Sequence, residues 1–384
     1  MKIAFVFDDG LDAPDGVQQY ILTLGAWFVR QGHDVHYLVG QTKRTDIEHV
    51  HSLSKNVAVR FNGNALSIPL PASAKAIREL LQKEQFDVLH VQMPYSPQLA
   101  GRVIALASKQ TAVVGTFHIL PYGRIQAMAT RLLGWVERKT LARIDKVLAV
   151  SDAAQAFAQD TMNITASVWP NAVDIASFTA GKRLPEYNDT NTTIVFLGRL
   201  VERKGCMQLL QTLACLNEQD KLSNVRVVIA GTGPQLPSIT EYIERNNLGS
   251  VVKLAGWIQE ADKPNYLRSA DIAVMPSMAG ESFGIVLVEA IASGAGMVLG
   301  GDNPGYRYVL GDDADALVDP RDTVAFAQKL DDLLHNPALR KKVGARQRKR
   351  IADFDVSVIG TGLLKAYRAE IAKRRPLGNN KQYE

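Results

Sequence analysis

Short runs of β-branched and apolar residues alternate along the chain with longer stretches whose apolar residues recur every three or four positions. In the first half the strand-like runs are KIAFVFD, DVHYLVG, VAVRF, DVLHVQ, AVVGTF and KVLAVS. The second half restarts the series with TIVFLGR, RVVIAG, VVKLAG, IAVMPS, GMVLGG and ALVD. Strands alternating with helical stretches predict parallel sheets joined by crossover helices. Between the two series, AGKRLPEYNDTNT (180–192) lacks apolar periodicity and reads as a linker. The expected fold is therefore α/β: two doubly wound, Rossmann-like domains, 1–179 and 193–355, facing a central cleft. A final helix is expected near 356–373. Ligands of such sheets sit beyond the carboxyl ends of the strands, which makes the residues just after each strand the ones to inspect.

Composition supports two cores, since 384 residues with 46% hydrophobic content exceed the usual single-core size. A net charge of +5 and a pI near 9.0 suit a surface that meets phosphates, anionic lipid or nucleic acid. Cys206 and Cys215, if carried by one helix, lie about 13 Å apart on opposite faces and form no disulfide. The opening MKIAFVF is too short for a signal h-region. The longest apolar stretch (284–301) is broken by Glu289, Ser293 and several glycines, and reads as a helix followed by a buried strand. These features predict a soluble or peripheral protein.

Candidate chemistry clusters at strand ends. GRLVERKG (198–205) brackets a loop with Arg199 and Lys204, two cations beside a helix N-terminus that suit a diphosphate. GTG (231–233) allows close backbone approach or a plain turn. GESFGIVLVEA (280–290) places Glu281 in a loop and Glu289 eight residues later, inside an apolar helix where an unliganded acid is costly. His118 follows the run GTF directly. His33, His36, His49 and His51 show no cysteine or carboxylate partner in the sequence and read as surface residues. DAD (313–315) resembles a metal-binding acid pair but reads as a turn.

Taken in order, DAPDGVQQY, GTFH, PNAVDIASF, FLGRLVERKG and GESFGIVLVEA resemble the GT-B retaining glycosyltransferases of family 4, most closely the phosphatidylinositol mannosyltransferases. The resemblance spans nearly the whole chain and includes the family's Glu-x7-Glu motif. It implies a catalytic set of His118, Arg199, Lys204 and Glu281. Arg199 and Lys204 would hold the nucleotide diphosphate, while Glu281 would meet donor-sugar hydroxyls. Ser282, Phe283, Gly284 and Ile285 would present backbone groups to the donor. Glu289 would bind the ribose, the base would rest near Trp257 and Ile258, and Gly16 would bring its amide to the diphosphate. His118 would lie near the anomeric carbon. Asp12, Gln18, Tyr95 and Arg124 are the acceptor-side candidates. Asp15 stands where the family commonly has a second glycine.

The resemblance also implies front-face attack without an enzyme nucleophile, no cofactor bound, and no metal held by protein acids. The donor would be a nucleotide-diphosphate sugar, GDP-mannose ahead of UDP-glucose. The acceptor would be a lipid such as phosphatidylinositol at an anionic membrane surface, which places the protein in the cytoplasm on the inner face of the membrane. A soluble or polysaccharide acceptor, and a non-catalytic binding role, remain as alternatives. PASAKAIRELLQKE (71–84) stands where the mannosyltransferases carry a basic membrane-docking helix. RIQAMATRLLGWVERKTLARIDK (124–146) has six basic and two acidic residues with Leu132, Leu133 and Trp135 among them, a pattern suited to anionic lipid. RKKVGARQRKR (340–350) carries seven basic residues and no interleaved aromatic, which argues against nucleic acid.

Overall fold

The computed structural model describes residues 1–12, 15–61, 64–93, 96–118 and 124–375. The chain divides into two compact units, 1–172 with 356–384, and 173–355.

In the first unit the strands are β1 (Lys2–Phe7), β2 (Asp34–Val39), β3 (Val50–Ser52), β4 (Asn56–Phe61), β5 (Asn64–Pro69), β6 (Val88–Gln92), β7 (Ala112–Phe117), β8 (Lys146–Ala149) and β9 (Ser167–Val168). Its helices begin with α1 (Gly16–Arg30), α2 (Ala74–Glu84), α3 (Leu99–Leu106) and α4 (Arg124–Val136). They continue with α5 (Arg138–Leu141) and α6 (Asp152–Met162). Seven strands form one parallel sheet in the order β3-β2-β1-β6-β7-β8-β9. The reversal of direction in that order falls at β1/β6, so the strand ends there line the crevice where doubly wound sheets take ligands. The run VAVRF does not join this sheet. It pairs antiparallel with β5 in a two-stranded sheet of its own.

The second unit carries α7 (Ile175–Thr179), β10 (Thr192–Leu197), α8 (Cys206–Asn217), β11 (Val225–Ala230), α9 (Leu236–Arg245) and β12 (Val252–Gly256). There follow α10 (Lys263–Arg268), β13 (Ile272–Met275), α11 (Ile285–Ala292), β14 (Met297–Gly301) and α12 (Pro304–Leu310). It ends with β15 (Leu317–Val318), α13 (Thr323–His335) and α14 (Pro337–Arg350). Its six strands run in the order β12-β11-β10-β13-β14-β15, again with a reversal beside the first strand. The terminal helix α15 (Val356–Arg374) belongs to the first unit, where Leu363 and Tyr367 are buried in the core with Phe5, Phe28 and Tyr20.

Several expectations change. The stretch 180–192 is part of the second unit: Tyr187 is buried, and Arg183 bonds both carboxylate oxygens of Asp271 at 3.2 Å. The histidines 36 and 51 are not plain surface residues. His36 is 4% exposed, its Nε2 is 3.0 Å from Asp34 Oδ1, and its Nδ1 is 2.9 Å from His51 Nε2. Period-two alternation explains why: Asp34 and His36 share one face of β2, and register sets His51 beside Leu38 on that same face. The acids of DAD hold Arg346, with Asp313 at 2.7 Å and Asp315 at 3.0 Å, which accounts for part of the basic run on α14.

Candidate active site

Around the end of β1 the acids each have a task. Asp8 is 7% exposed and accepts the Ala100 amide at 2.7 Å, fixing the first turn of α3, and it also bonds the Ser96 hydroxyl. Asp9 accepts from the Gly10 amide at 2.7 Å and from the Asn56 side-chain amide at 3.2 Å. Asp12 takes the Thr42 hydroxyl at 3.0 Å and the Lys43 amide at 2.9 Å, tying the first loop to the loop after β2. Gln18 is buried and donates to the Gly10 carbonyl at 3.2 Å. Gly16 is the exposed first residue of α1, so its amide is one of the four N-terminal donors that a helix leaves for an anion. Asp15 occupies the N-cap position with extended backbone but makes no side-chain cap bond. Tyr95 and the side chain of Arg124 lie outside the described residues.

Beyond the end of β7, His118 is 8% exposed, and its Nε2 is 2.7 Å from Gln92 Oε1. Gln92 donates its Nε2 to the His90 carbonyl at 3.2 Å. A carbonyl only accepts, so the Gln92 amide has one possible orientation, with its oxygen toward His118. His118 must then carry its proton on Nε2 and present Nδ1 as an acceptor. Tyr20 lies edge-on to the ring, 5.1 Å between centroids. Nearby His90 is bonded by the Tyr367 hydroxyl of α15 at 2.6 Å and by the Thr116 hydroxyl at 2.6 Å. Burial pushes both imidazoles down to about 3, so each is neutral at physiological pH.

In the second unit, three residues converge on Glu281, which is 8% exposed. Arg203 Nη1 lies 2.6 Å and Lys204 Nζ 2.8 Å from the same oxygen, Oε1, and the Ser277 hydroxyl donates to it at 3.1 Å. Burial raises the Glu281 carboxyl, but the Lys204 and Arg203 charges outweigh it and hold the acid ionised, below its usual range. Lys204 is lowered, first by burial and then by the neighbouring Arg203 and Arg199 charges that work against Glu281. Two cations on one carboxylate oxygen leave a net positive charge at this loop.

The support around this cluster comes from residues that carry no motif in the sequence. Tyr306, fully buried, donates its hydroxyl to Ser277 at 3.2 Å, and Asn303 holds the Ser277 carbonyl at 3.0 Å while capping α12 through the Tyr306 amide. Arg203 sits beside Lys204 in a charged loop, where nothing in the sequence distinguishes the paired cation from its neighbours. Gly284 has φ +106°, and a Cβ there would come 2.7 Å from the Tyr306 ring, so glycine is required at this close approach. Gly231 is similar, with φ +144° and a Cβ position 1.8 Å from the Gly198 carbonyl oxygen.

Ile285 is the first residue of α11; the preceding Ser282 is partly exposed and Phe283 is buried. Glu289, one turn further on, is 4% exposed; Lys263 is 3.9 Å away and is bonded more closely to Glu260 at 2.8 Å. Burial raises its carboxyl, with Lys263 pulling the other way. Ile258 is buried beside Trp257, which is 52% exposed.

The profile described as "Glycosyl transferases group 1" matches residues 182–350, and that described as "Glycosyltransferase Family 4" matches residues 14–177. The phosphatidyl-myo-inositol mannosyltransferase of Mycolicibacterium smegmatis is 31% identical over 96% of this chain and 93% of its own length. Among solved structures, a glycosyltransferase from Rickettsia africae superposes with a TM-score of 0.76 at 19% identity, covering 96% of this chain and 99% of that one. Sucrose-phosphate synthase from Thermosynechococcus elongatus superposes at 0.77 with 21% identity, covering 97% and 100%. Two parallel-sheet Rossmann-like units, both profiles in order and a near full-length relative lead to one conclusion: the chain belongs to the family 4 glycosyltransferases of the GT-B fold.

Proposed function

We propose that this protein transfers mannose from GDP-mannose to a membrane lipid, phosphatidylinositol in the first instance, with retention of anomeric configuration. The observation that carries the reading is the ion cluster at Glu281, where Arg203 and Lys204 share one carboxylate oxygen. The donor diphosphate takes over Lys204, together with Arg199, and releases Glu281 to bind hydroxyls of the sugar. In the transferase step the bond from the anomeric carbon to the β-phosphate oxygen breaks and the acceptor oxygen bonds to the same face. The acceptor's proton passes to the departing phosphate. Negative charge grows on that phosphate, and preorganised cations are the groups that stabilise it. His118 serves as a neutral hydrogen-bond acceptor for a hydroxyl near the anomeric carbon. Glu289 takes the ribose hydroxyls, Trp257 and Ile258 lie near the base, and the Gly16 amide meets the diphosphate.

The lipid acceptor is supported by the name of the mycobacterial relative and by the surface of α4. Met128, Leu132, Trp135 and Val136 recur there at helical spacing and are 55–67% exposed, with Arg138 over the Trp135 ring at 5.8 Å. An exposed apolar stripe beside cations suits the interface of an anionic bilayer. Among the described residues no helix is long and apolar enough to cross a membrane. The test is incubation with radiolabelled GDP-mannose or UDP-glucose and liposomes of phosphatidylcholine with phosphatidylinositol. A labelled α-mannolipid is expected; no transfer from either donor would overturn the reading, and transfer only to soluble alcohols would redirect the acceptor.

A further inference from the structure

One side-chain cluster in the first unit has no part in that chemistry. Asp34 and His36 lie on one face of β2, and His49 immediately precedes β3, the edge strand that pairs with β2. Asp34 Oδ1 is 3.0 Å from His36 Nε2 and 3.2 Å from His49 Nδ1. All three ligand atoms lie within 4.8 Å of one another. Ligand atoms bonded at about 2.0–2.1 Å to one tetrahedral ion stand roughly 3.3 Å apart. Two of the three separations here are already within a few tenths of an ångström of that edge.

We propose that Asp34, His36 and His49 form a binding site for a divalent transition metal ion of the zinc class, with the fourth position left to water. Two imidazoles and one carboxylate select zinc, cobalt or nickel over calcium and magnesium, which prefer all-oxygen shells. The groups behind two of the three ligands, His36 and Asp34, have the arrangement that metal sites use to orient them. His51 Nε2 bonds His36 Nδ1 at 2.9 Å, leaving His36 Nε2 directed at the cluster. Lys2 holds the other Asp34 oxygen at 3.3 Å and is itself held by Glu84 at 2.9 Å. Phe86 packs edge-on to the buried His36 ring at 5.1 Å.

Access is open at the opposite side, since the side chains of Asp34 and His49 are 39% and 51% exposed. The rings of His36 and His49 lie face to face, 4.4 Å between centroids, so an ion is taken up as the exposed His49 turns its Nδ1 edge while His36 stays in place. His49 has φ +54°, a left-handed conformation that a non-glycine residue holds only where its surroundings require it. The ion ties the short edge strand β3 to β2 and closes the loop between them. That loop carries Thr42 and Lys43, which hold Asp12, so occupancy bears on the loop after β1.

The test uses the full chain without a histidine tag, stripped with chelator and titrated calorimetrically with zinc chloride, with cobalt(II) absorption reporting geometry. One equivalent is expected, with a tetrahedral cobalt spectrum. His49→Ala, at an exposed position, and Asp34→Asn, at a half-buried one, are expected to lose at least about a hundredfold in affinity. His51→Ala, which removes only the outer partner, is expected to lose about tenfold. Absence of saturable binding, or equal zinc affinity in the parent and His49→Ala proteins, would overturn the proposal. Neither result depends on which sugar or lipid the enzyme uses.

Discussion

Gln92 accepts the Nε2 proton of His118 at 2.7 Å, and because its own amide hydrogen is given to the His90 carbonyl, the histidine has a single available tautomer. A residue with no expected role thereby determines what His118 can offer a ligand.

Replacing Gln92 with methionine keeps the buried volume and removes the acceptor. The imidazole nitrogen shifts of His118 in long-range proton–nitrogen spectra should change from a pure Nε2–H pattern to a mixture of tautomers. Transferase activity should fall about tenfold, the worth of one net hydrogen bond. Unchanged nitrogen shifts would refute the lock whatever the activity does.

The Glu281 cluster makes stability depend on the ligand. Glu281→Gln leaves Arg203 and Lys204 without their carboxylate, and breaking such a pair costs about 3 kcal/mol when buried. Residual exposure of 22% and 17% on the two cations puts the expected loss at or below that figure. A nucleoside diphosphate should restore part of it, so the melting-temperature difference from the parent protein should narrow with added GDP. A difference that GDP leaves untouched would mean that the cations do not meet the phosphates. For Lys204→Ala, kcat should drop by about 10²–10³ if the ammonium stabilises the departing phosphate.

Acid should weaken the first unit through His90 and His118. Both have folded values near 3, below the ordinary 6.5, so the unfolded chain binds more protons as pH falls through 6.5. Their contribution is intact above pH 6.5 and is lost progressively toward pH 3. At pH 5 each costs about 2 kcal/mol relative to pH 7. Urea midpoints at the two pH values should show the loss, and His90→Gln should reduce it by about half; equal slopes in both proteins would exclude His90 as a source.

If α4 rests on lipid, Leu132→Glu and Trp135→Glu should each move the protein from pellet to supernatant in sedimentation with anionic liposomes. Both side chains are more than 60% exposed, so thermal stability should change by no more than about 0.5 kcal/mol. Undiminished co-sedimentation would remove α4 from the membrane reading.

Periodicity determined the α/β class and the two series of strands, because a parallel strand buried on both faces must be a continuous apolar run and a crossover helix must repeat at 3.6; it did not separate VAVRF, which pairs antiparallel with β5, from the strands of the main sheet. The polar types in the loops after strands were equally legible: Arg199 and Lys204 follow β10 and Glu281 follows β13, while Glu289 stands out as an acid inside the apolar helix α11. Pairing was not legible. Arg203 and Lys204 look alike in a loop, and only folding brings both to one oxygen of Glu281, 77 or more residues away. The same holds for Gln92 behind His118, for Tyr367 of α15 on His90, and for Asp34 between His36 of β2 and His49 just before β3. A side chain's partner depends on strand order and register, and those are settled by burial of the whole core, which no local stretch of sequence contains.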